Sequence, residues 1–491
     1  MDGTEFFLAK TNPSRAFELL EMVVNGMSRG GGSVDGKTSY VTAQAVEAIT
    51  GNKKWYFSAD EEAQVLRYAF REAASVSELD ALKVRDFQPF SSIQKEVVRD
   101  SLTAWSDVAN IVFKEAADGD RVNIVFGSYS DDASTKHGFT VTQRLGDSLL
   151  SSEVWLNTRS DTSPVPIGSI DRLAMVHEIG HALGLDHPSP YTGEEPDANY
   201  VDYADYKEDT IAYSVMSYWD EAFSGQTFKL NDDDGHPVRY FPHAPQMDDI
   251  ATITDLYGAN LNTRAGDTVY GYNSNAGPEY TITAGATTAP IFSIWDAGGE
   301  DTLDLSGYDK SQIISLTPGT FSSTNGYVGN LSIAEGVTIE NAIGGDGNDL
   351  IIGNLSLQPN LDGVVSTNNT LRGGGGNDLI FGGAGGDNLW GGSGRNTFLY
   401  SSVLESTPDE PDIIFDFKSG LDKLDLSGMG EVGAIGGLSF SDAFDGSKGQ
   451  ASIRFDEGTG ASVFSVDFSG SGQPDFAIVL VGQLAPQDIF I

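Results

Sequence analysis

Eleven consecutive residues, HEIGHALGLDH at 177–187, carry the side chains and spacing of a metal centre. His177 and His181 are four apart, so on a helix their imidazoles leave the same face one turn apart. Gly184 permits the backbone reversal that most residues resist, and the reversal brings His187 round as a third ligand. Three imidazoles suit zinc and leave one coordination position for water, as in a catalytic rather than a structural site. Glu178 stands beside the first ligand, placed to take a proton from that water. The competing reading, a surface helix with two solvated histidines, accounts poorly for three of only six histidines falling in one run. A methionine follows in Ser214-Val215-Met216-Ser217-Tyr218.

The extended HExxHxxGxxH motif followed by a Met-turn resembles the metzincins. Pro188 after the third His, SVMSYW at 214–219, SLTAWSDVANIVFKE at 101–115 and DDIATITDLYGAN at 248–260 make the chain similar to the serralysins, secreted bacterial zinc proteases, from about Asp35 to Ile491. The resemblance implies that His177, His181 and His187 bind one catalytic zinc ion and that Glu178 is the general base. It also implies that Met216 forms an apolar floor beneath the ligands without touching the metal. Tyr218 would sit on zinc in the resting site and swing away to help stabilise the oxyanion; ordinary packing beside Trp219 is the alternative for it. The chemistry follows from charge: zinc lowers the pKa of its water towards about 7, so that hydroxide becomes accessible at neutral pH. No covalent intermediate is needed, which fits the absence of Cys and of a Gly-x-Ser-x-Gly elbow. The alternating stretch Ser152–Asn157 reads as an edge strand, and the resemblance implies that it pairs with an extended substrate backbone, a mode tolerant of side-chain sequence. His137, His236 and His243 read as solvated or hydrogen-bonded structural residues, with His243 positioned to line the cleft.

Elements that position this motif occupy about half the chain. The rest is glycine-rich: glycine is 58 of 491 residues, about 12% against a usual 7% or so. A nine-residue period runs through GGDGNDLII (344–352), GGGGNDLIF (373–381), GGAGGDNLW (382–390) and a degenerate GGSGRNTFL (391–399). This is the GGxGxDxUx repeat of a parallel β-roll, whose turns offer carbonyl and carboxylate oxygens suited to calcium. A flexible linker would lack the fixed Asp and the aliphatic residue after it. The repeat candidates for calcium are Gly345, Gly347, Asp349, Gly373, Gly374, Gly376, Asp378, Gly383, Gly385 and Asp387. TRAGDT (263–268), WDAGGEDT (295–302), GVTIEN (336–341) and DFKSGLDKLD (416–425) resemble further calcium turns of the family. They add Arg264, Gly266, Asp267, Thr268, Asp296, Gly298, Gly299, Asp301, Thr338, Glu340, Asp416 and Asp422. About eleven extra residues between Asp349 and Asp378 should bulge within 355–370, and Asn396 replaces the Asp of the fourth repeat.

A net charge of −42 excludes nucleic acid as a partner. It should also oppose folding of the roll until calcium neutralises it. With no Cys, neither a disulfide framework nor a cysteine-switch prosegment is available. Asp2, Glu5, Glu18 and Glu21 near the start argue against a cleaved signal peptide, and no stretch reaches the length of a membrane span. The terminal Asp-Ile-Phe-Ile (488–491) resembles the export signal of type I secretion, which implies a secreted, extracellular protein whose roll folds outside the cell.

The expected architecture is α+β. Residues 1–34 read as a prosegment or arm with an apolar stripe through Phe17, Leu20 and Val23 and a flexible GGG at 30–32. Residues 35–260 read as a zinc protease domain of mixed sheet and helices, and 261–491 as an all-β calcium-binding roll with a closing cap. Protein and peptide substrates and the type I machinery are the expected partners of a monomer, and a proteinaceous inhibitor is a partner that the resemblance allows. A calcium-dependent adhesin and a non-proteolytic zinc amidase are the alternatives. The first leaves the complete catalytic set unexplained, and the second leaves the similarity outside the ligands unexplained.

Overall fold

The computed structural model describes residues 16–34, 36–57, 64–84, 86–131, 134, 136–158, 165–192, 198–231, 235–283, 290–355 and 368–491. The chain divides into two compact units. One comprises Arg29–Thr263 with Thr287–Trp295; the other comprises the segment up to Ser28, Arg264–Ala286 and Asp296–Ile491.

In the first unit a five-stranded sheet is built from β1 (Val65–Phe70), β2 (Val112–Glu115), β3 (Ile124–Tyr129), β4 (Gly138–Leu145) and β5 (Ser148–Asn157), in the order β2-β1-β3-β5-β4. Neighbouring strands are parallel except for the β5–β4 pair. The edge strand beside the helices is therefore Gly138–Leu145, and Ser152–Asn157 belongs to an interior strand, contrary to the sequence expectation. Its alternation reports which face each residue presents; it carries no information about how many neighbours a strand has.

Helix α1 (Ser92–Val108) starts at a capping box in which the Ser91 hydroxyl accepts the Gln94 amide and the Gln94 side chain accepts the Ser91 amide. It runs to Trp105, which is fully buried and donates from Nε1 to Val176 O at 3.1 Å. That bond ties it to helix α2 (Ile170–Leu183), which is capped by Ser169 at its start and by Gly184 at its end. Helix α3 (Met247–Tyr257) completes this core. The glycines at 30–32 are not a free linker: Gly32–Val34 forms a two-stranded antiparallel ribbon with Lys37–Ser39.

In the second unit, three-residue strands wind into two parallel sheets. One carries Ile313–Ser315, Leu350–Ile352, Leu379–Phe381, Thr397–Leu399, Lys423–Asp425 and Ile489–Phe490 in that order. The other begins Val269–Gly271, Thr302–Asp304, Asn341–Ile343, Thr370–Arg372, Asn388–Trp390 and Asp412–Ile414, continues through the mutually antiparallel strands Phe476–Val481, Ala461–Asp467 and Gln450–Asp456, and ends at Ser439–Phe440. The central residue of most of these short strands is interior; Ile351, Ile380, Phe398, Ala342 and Leu371 are all fully buried, while in Asp412–Ile414 the buried apolar residue is Ile414. The flanking Leu350, Ile352, Leu379 and Phe381 are buried as well, because the N-terminal helix Ala16–Met27 lays Phe17, Leu19, Leu20 and Val23 over them. The extra residues between the first two repeats lie largely at 356–367, outside the described residues.

Candidate metal centre and cleft

Helix α2 places His177 and His181 on one face, and Gly184 ends the helix in the left-handed region at φ 107°. A side chain there would also run into the Lys53 carbonyl, so both the turn and the packing require glycine. The reversal brings the His187 ring to 4.7 Å from that of His181 and 5.3 Å from that of His177. Each imidazole uses Nδ1 against a backbone carbonyl: His177 with Val215 O at 2.8 Å, His181 with Leu185 O at 2.9 Å, His187 with Tyr191 O at 2.7 Å. A carbonyl only accepts, so each Nδ1 carries the proton and each Nε2 is a bare lone pair. His181 Nε2 and His187 Nε2 nevertheless lie 3.1 Å apart. Two lone pairs at that distance repel unless a cation lies between them. Burial and the neighbouring imidazole hold His181 down to about 3, and His177 is depressed too, so protons do not fill the gap near neutral pH. The donor set fits a divalent ion that prefers nitrogen, and among the described residues this is the group of three such side chains whose ligand atoms converge, within 4.8 Å.

Glu178 is buried on the same turn, and burial raises its carboxyl to about 7. Thr140 on the edge strand β4 donates its hydroxyl to Glu178 Oε2 at 2.7 Å and opposes that rise. Met216 packs under the helix: a Cβ on Gly180 would come within 2.5 Å of its sulfur and 3.1 Å of Trp105, so the helix floor is closed by sulfur and indole. Tyr218 is about half exposed, and its ring centroid is 4.5 Å from that of His187 and 5.2 Å from that of Tyr191.

The triad opens into a cleft of about 590 Å³ whose walls include Ile170, Leu173, Ile211 and Val215. A second hollow of about 700 Å³ continues past His181 and His187 towards Lys53 and Asp186. His137 lies in the cleft wall, with Nδ1 2.6 Å from Asp171, while His243, expected to line the cleft, is buried and does not line either hollow. Sequence reading missed the supports. Thr140 gave no local signal. Asp209, raised to about 6 by burial, accepts the hydroxyls of Ser189, Ser217 and Tyr191 at 2.6, 2.7 and 2.8 Å and so joins the third-ligand loop to the Met-turn. Asp249, raised to about 7 by burial, accepts Ser214 Oγ and Val215 N at 2.7 Å. The paired acids at the start of α3 were a legible hint of an anchored helix end.

In the roll the carboxylates form ladders. The N–H of Gln312 donates to Asp349 Oδ1, that of Asp349 to Asp378, that of Asp378 to Asn396 and that of Asn396 to Asp422, at 2.8, 2.8, 2.9 and 2.9 Å. On the other sheet Thr268 N donates to Asp301 and Asp301 N to Glu340, and Asn354, Asn369, Asp387 and Asp412 form a second run. Asp387 Oδ2 and Asp425 Oδ2 are buried without a hydrogen-bond partner. Asp412 and Asp425 were not anticipated; Asp412 keeps the Asp-apolar-apolar pattern but lacks the glycine turn before it. Burial raises Asp301 to about 8 and Glu340 and Asp387 to about 7. Of the turn residues, Thr268 donates to Gly266 O, Asp296 accepts Tyr270 OH and Gly298 N, Asp267 accepts Glu300 N, and the Arg264 guanidinium lies over Tyr280. Thr338 is buried beside Glu340. Gly374, Gly376, Gly383 and Gly385 all turn at positive φ. Asp416 accepts Gly391 N and Gly392 N, and Asp422 accepts Lys418 N besides Asn396 N. Asn354 and Asn369 behave differently from the aspartates, because their amides donate to Ile339 O and Glu340 O at 3.0 and 2.9 Å, so these rungs close with hydrogen bonds.

Three imidazoles with an adjoining carboxylate, at the floor of an open cleft, define a metal-dependent hydrolase. Comparison with known proteins narrows the class. The family profile described as Peptidase M10 serralysin C terminal matches residues 259–491. Metalloprotease AprA of Pseudomonas entomophila (strain L48) is 39% identical over 99% of this chain and 97% of its own length. Metallopeptidase AprA of Pseudomonas marginalis is 41% identical over 97% and 96%. Serralysin G of Dickeya chrysanthemi is 37% identical over 94% of each chain. The chain belongs to the serralysin family and is a metalloendopeptidase.

Proposed function

We propose that the protein is a secreted zinc endopeptidase of metzincin type, with His177, His181 and His187 as ligands and Glu178 as general base. The observation that carries this reading is the 3.1 Å approach of two Nε2 lone pairs whose rings are each fixed by a carbonyl at Nδ1. Bound there, zinc would supply a Lewis acid and lower the pKa of a water to about 7. The rest is work for the chain itself. Glu178, raised to about 7, suits a group that takes a proton from attacking water and hands it to the leaving amine. Thr140 fixes the carboxylate oxygen. Tyr218, at the cleft rim, would donate to the oxyanion. The exposed edge of β4 offers main-chain groups to an extended substrate.

In the same reading the roll takes several calcium ions, for which the orphaned Oδ2 atoms of Asp387 and Asp425 give support, and calcium-driven folding follows export through type I machinery. Glu178→Gln tests the catalytic assignment: caseinolysis should fall by about three orders of magnitude while bound zinc is unchanged. Undiminished hydrolysis would remove Glu178 from the mechanism.

A further inference from the structure

Arg29 lies far from the cleft in sequence, is only 8% exposed, and forms a two-pronged ion pair with the fully buried Asp248: Nη1 to Oδ1 at 2.6 Å, Nη2 to Oδ2 at 3.1 Å. Its Nε donates to Tyr40 O at 2.7 Å, which fixes the third edge of the guanidinium. The same group lies 4.9 Å from the centre of the Tyr213 ring, and Asp248 N donates to Tyr213 O at 3.0 Å. One cation therefore grips both the first turn of α3 and the residue that precedes the Met-turn.

What those two elements do next reaches the metal centre. Asp249, the neighbour of Asp248, accepts Ser214 Oγ and Val215 N at 2.7 Å each, and Gln246 N at 2.8 Å. Val215 O in turn accepts His177 Nδ1 at 2.8 Å. Partners of this kind fix a ligand's tautomer and ring orientation, and their loss typically weakens metal binding about 10–100-fold. We propose that Arg29 is a positioning residue for the metal centre, acting through Asp248–Asp249 and Val215 on His177. The chain around Arg29 is then part of the working enzyme: Gly30 N bonds Ser39 Oγ, and Ser39 Oγ and Tyr40 N both donate to the buried Glu208. A prosegment ending at residue 34 would remove Arg29, so any maturation that keeps full activity cuts before it.

This inference rests on the zinc-peptidase reading, and the reference sample separates the two. Full-length wild type, Arg29→Met and Arg29→Lys are compared at a temperature where circular dichroism reports each as folded. Zinc release to a chelator is timed, and kcat and KM are measured on a casein-derived peptide. Arg29→Met should release zinc about tenfold faster and lose kcat with KM within twofold, and Arg29→Lys should fall between it and wild type. A folded Arg29→Met with wild-type zinc release and kcat overturns the proposal. Should Arg29→Met fail to fold, Arg29→Lys decides: about threefold faster release supports the proposal and an unchanged rate overturns it. A wild type that holds no zinc, or does not cleave, counts against the peptidase reading instead.

Discussion

At the scale of single residues, the chemistry depends on groups supplied from two distances along the chain. His177, Glu178, His181, Gly184 and His187 were legible from the sequence because helical periodicity and one positive-φ glycine fix their relations locally. Thr140, Asp209 and Asp249 were not, because they bond partners 38, 20 and 34 residues away in sequence, beyond any local pattern. Thr140→Val keeps the shape of the side chain and removes its hydrogen bond to Glu178, the proposed general base. A hydrogen bond to a charged group is worth about 1.5 kcal/mol or more, so kcat should drop about tenfold. Steady-state kinetics with zinc analysis checks this, with KM and metal content expected to stay at wild-type values.

Elements show where pattern reading succeeds and where it loses information. The repeat period located the short strands of the roll, since one apolar residue per strand must point inward while glycine turns the chain between strands. It did not disclose that the apolar outer neighbours would be buried too. Leu350, Ile352, Leu379 and Phe381 needed a cover, and the apolar stripe of residues 16–27 provides it, so Phe17, Leu20 and Val23 form a structural face of the C-terminal unit. Phe17→Ala should lower the stability of that unit by about 3 kcal/mol, read as an earlier melting transition, with peptidase kcat at 25 °C unaltered. The error over Ser152–Asn157 has a related cause. Period-2 burial is shared by edge and interior strands, and only pairing, which involves residues distant in sequence, tells them apart.

The whole molecule carries far more acid than base, and the roll concentrates part of it in buried positions. Asp301, Glu340 and Asp387 have folded-state values of about 8, 7 and 7, above the roughly 4 of an unfolded carboxyl. Raised values of this kind stabilise the metal-free fold fully below about pH 4, and that contribution disappears as pH climbs through 7 to 8. Asp467 and Asp488, lowered by their hydrogen bonds, act below this window and do not change its slope. In a calcium chelator the melting temperature of the C-terminal transition should therefore fall steadily between pH 5 and 8. Saturating calcium should reverse that slope, because protons compete with the ion for the same oxygens. Calorimetry at the two ends of the window, with and without calcium, measures both.

The assignment of the three histidines is tested most directly by counting metal. Purified wild type should carry one zinc ion per chain beyond its calcium, and His181→Ala, folded to the same circular dichroism spectrum, should carry almost none and cleave no casein. A wild type that hydrolyses casein with no zinc bound, or a His181→Ala protein that keeps its full complement of zinc, would contradict the account.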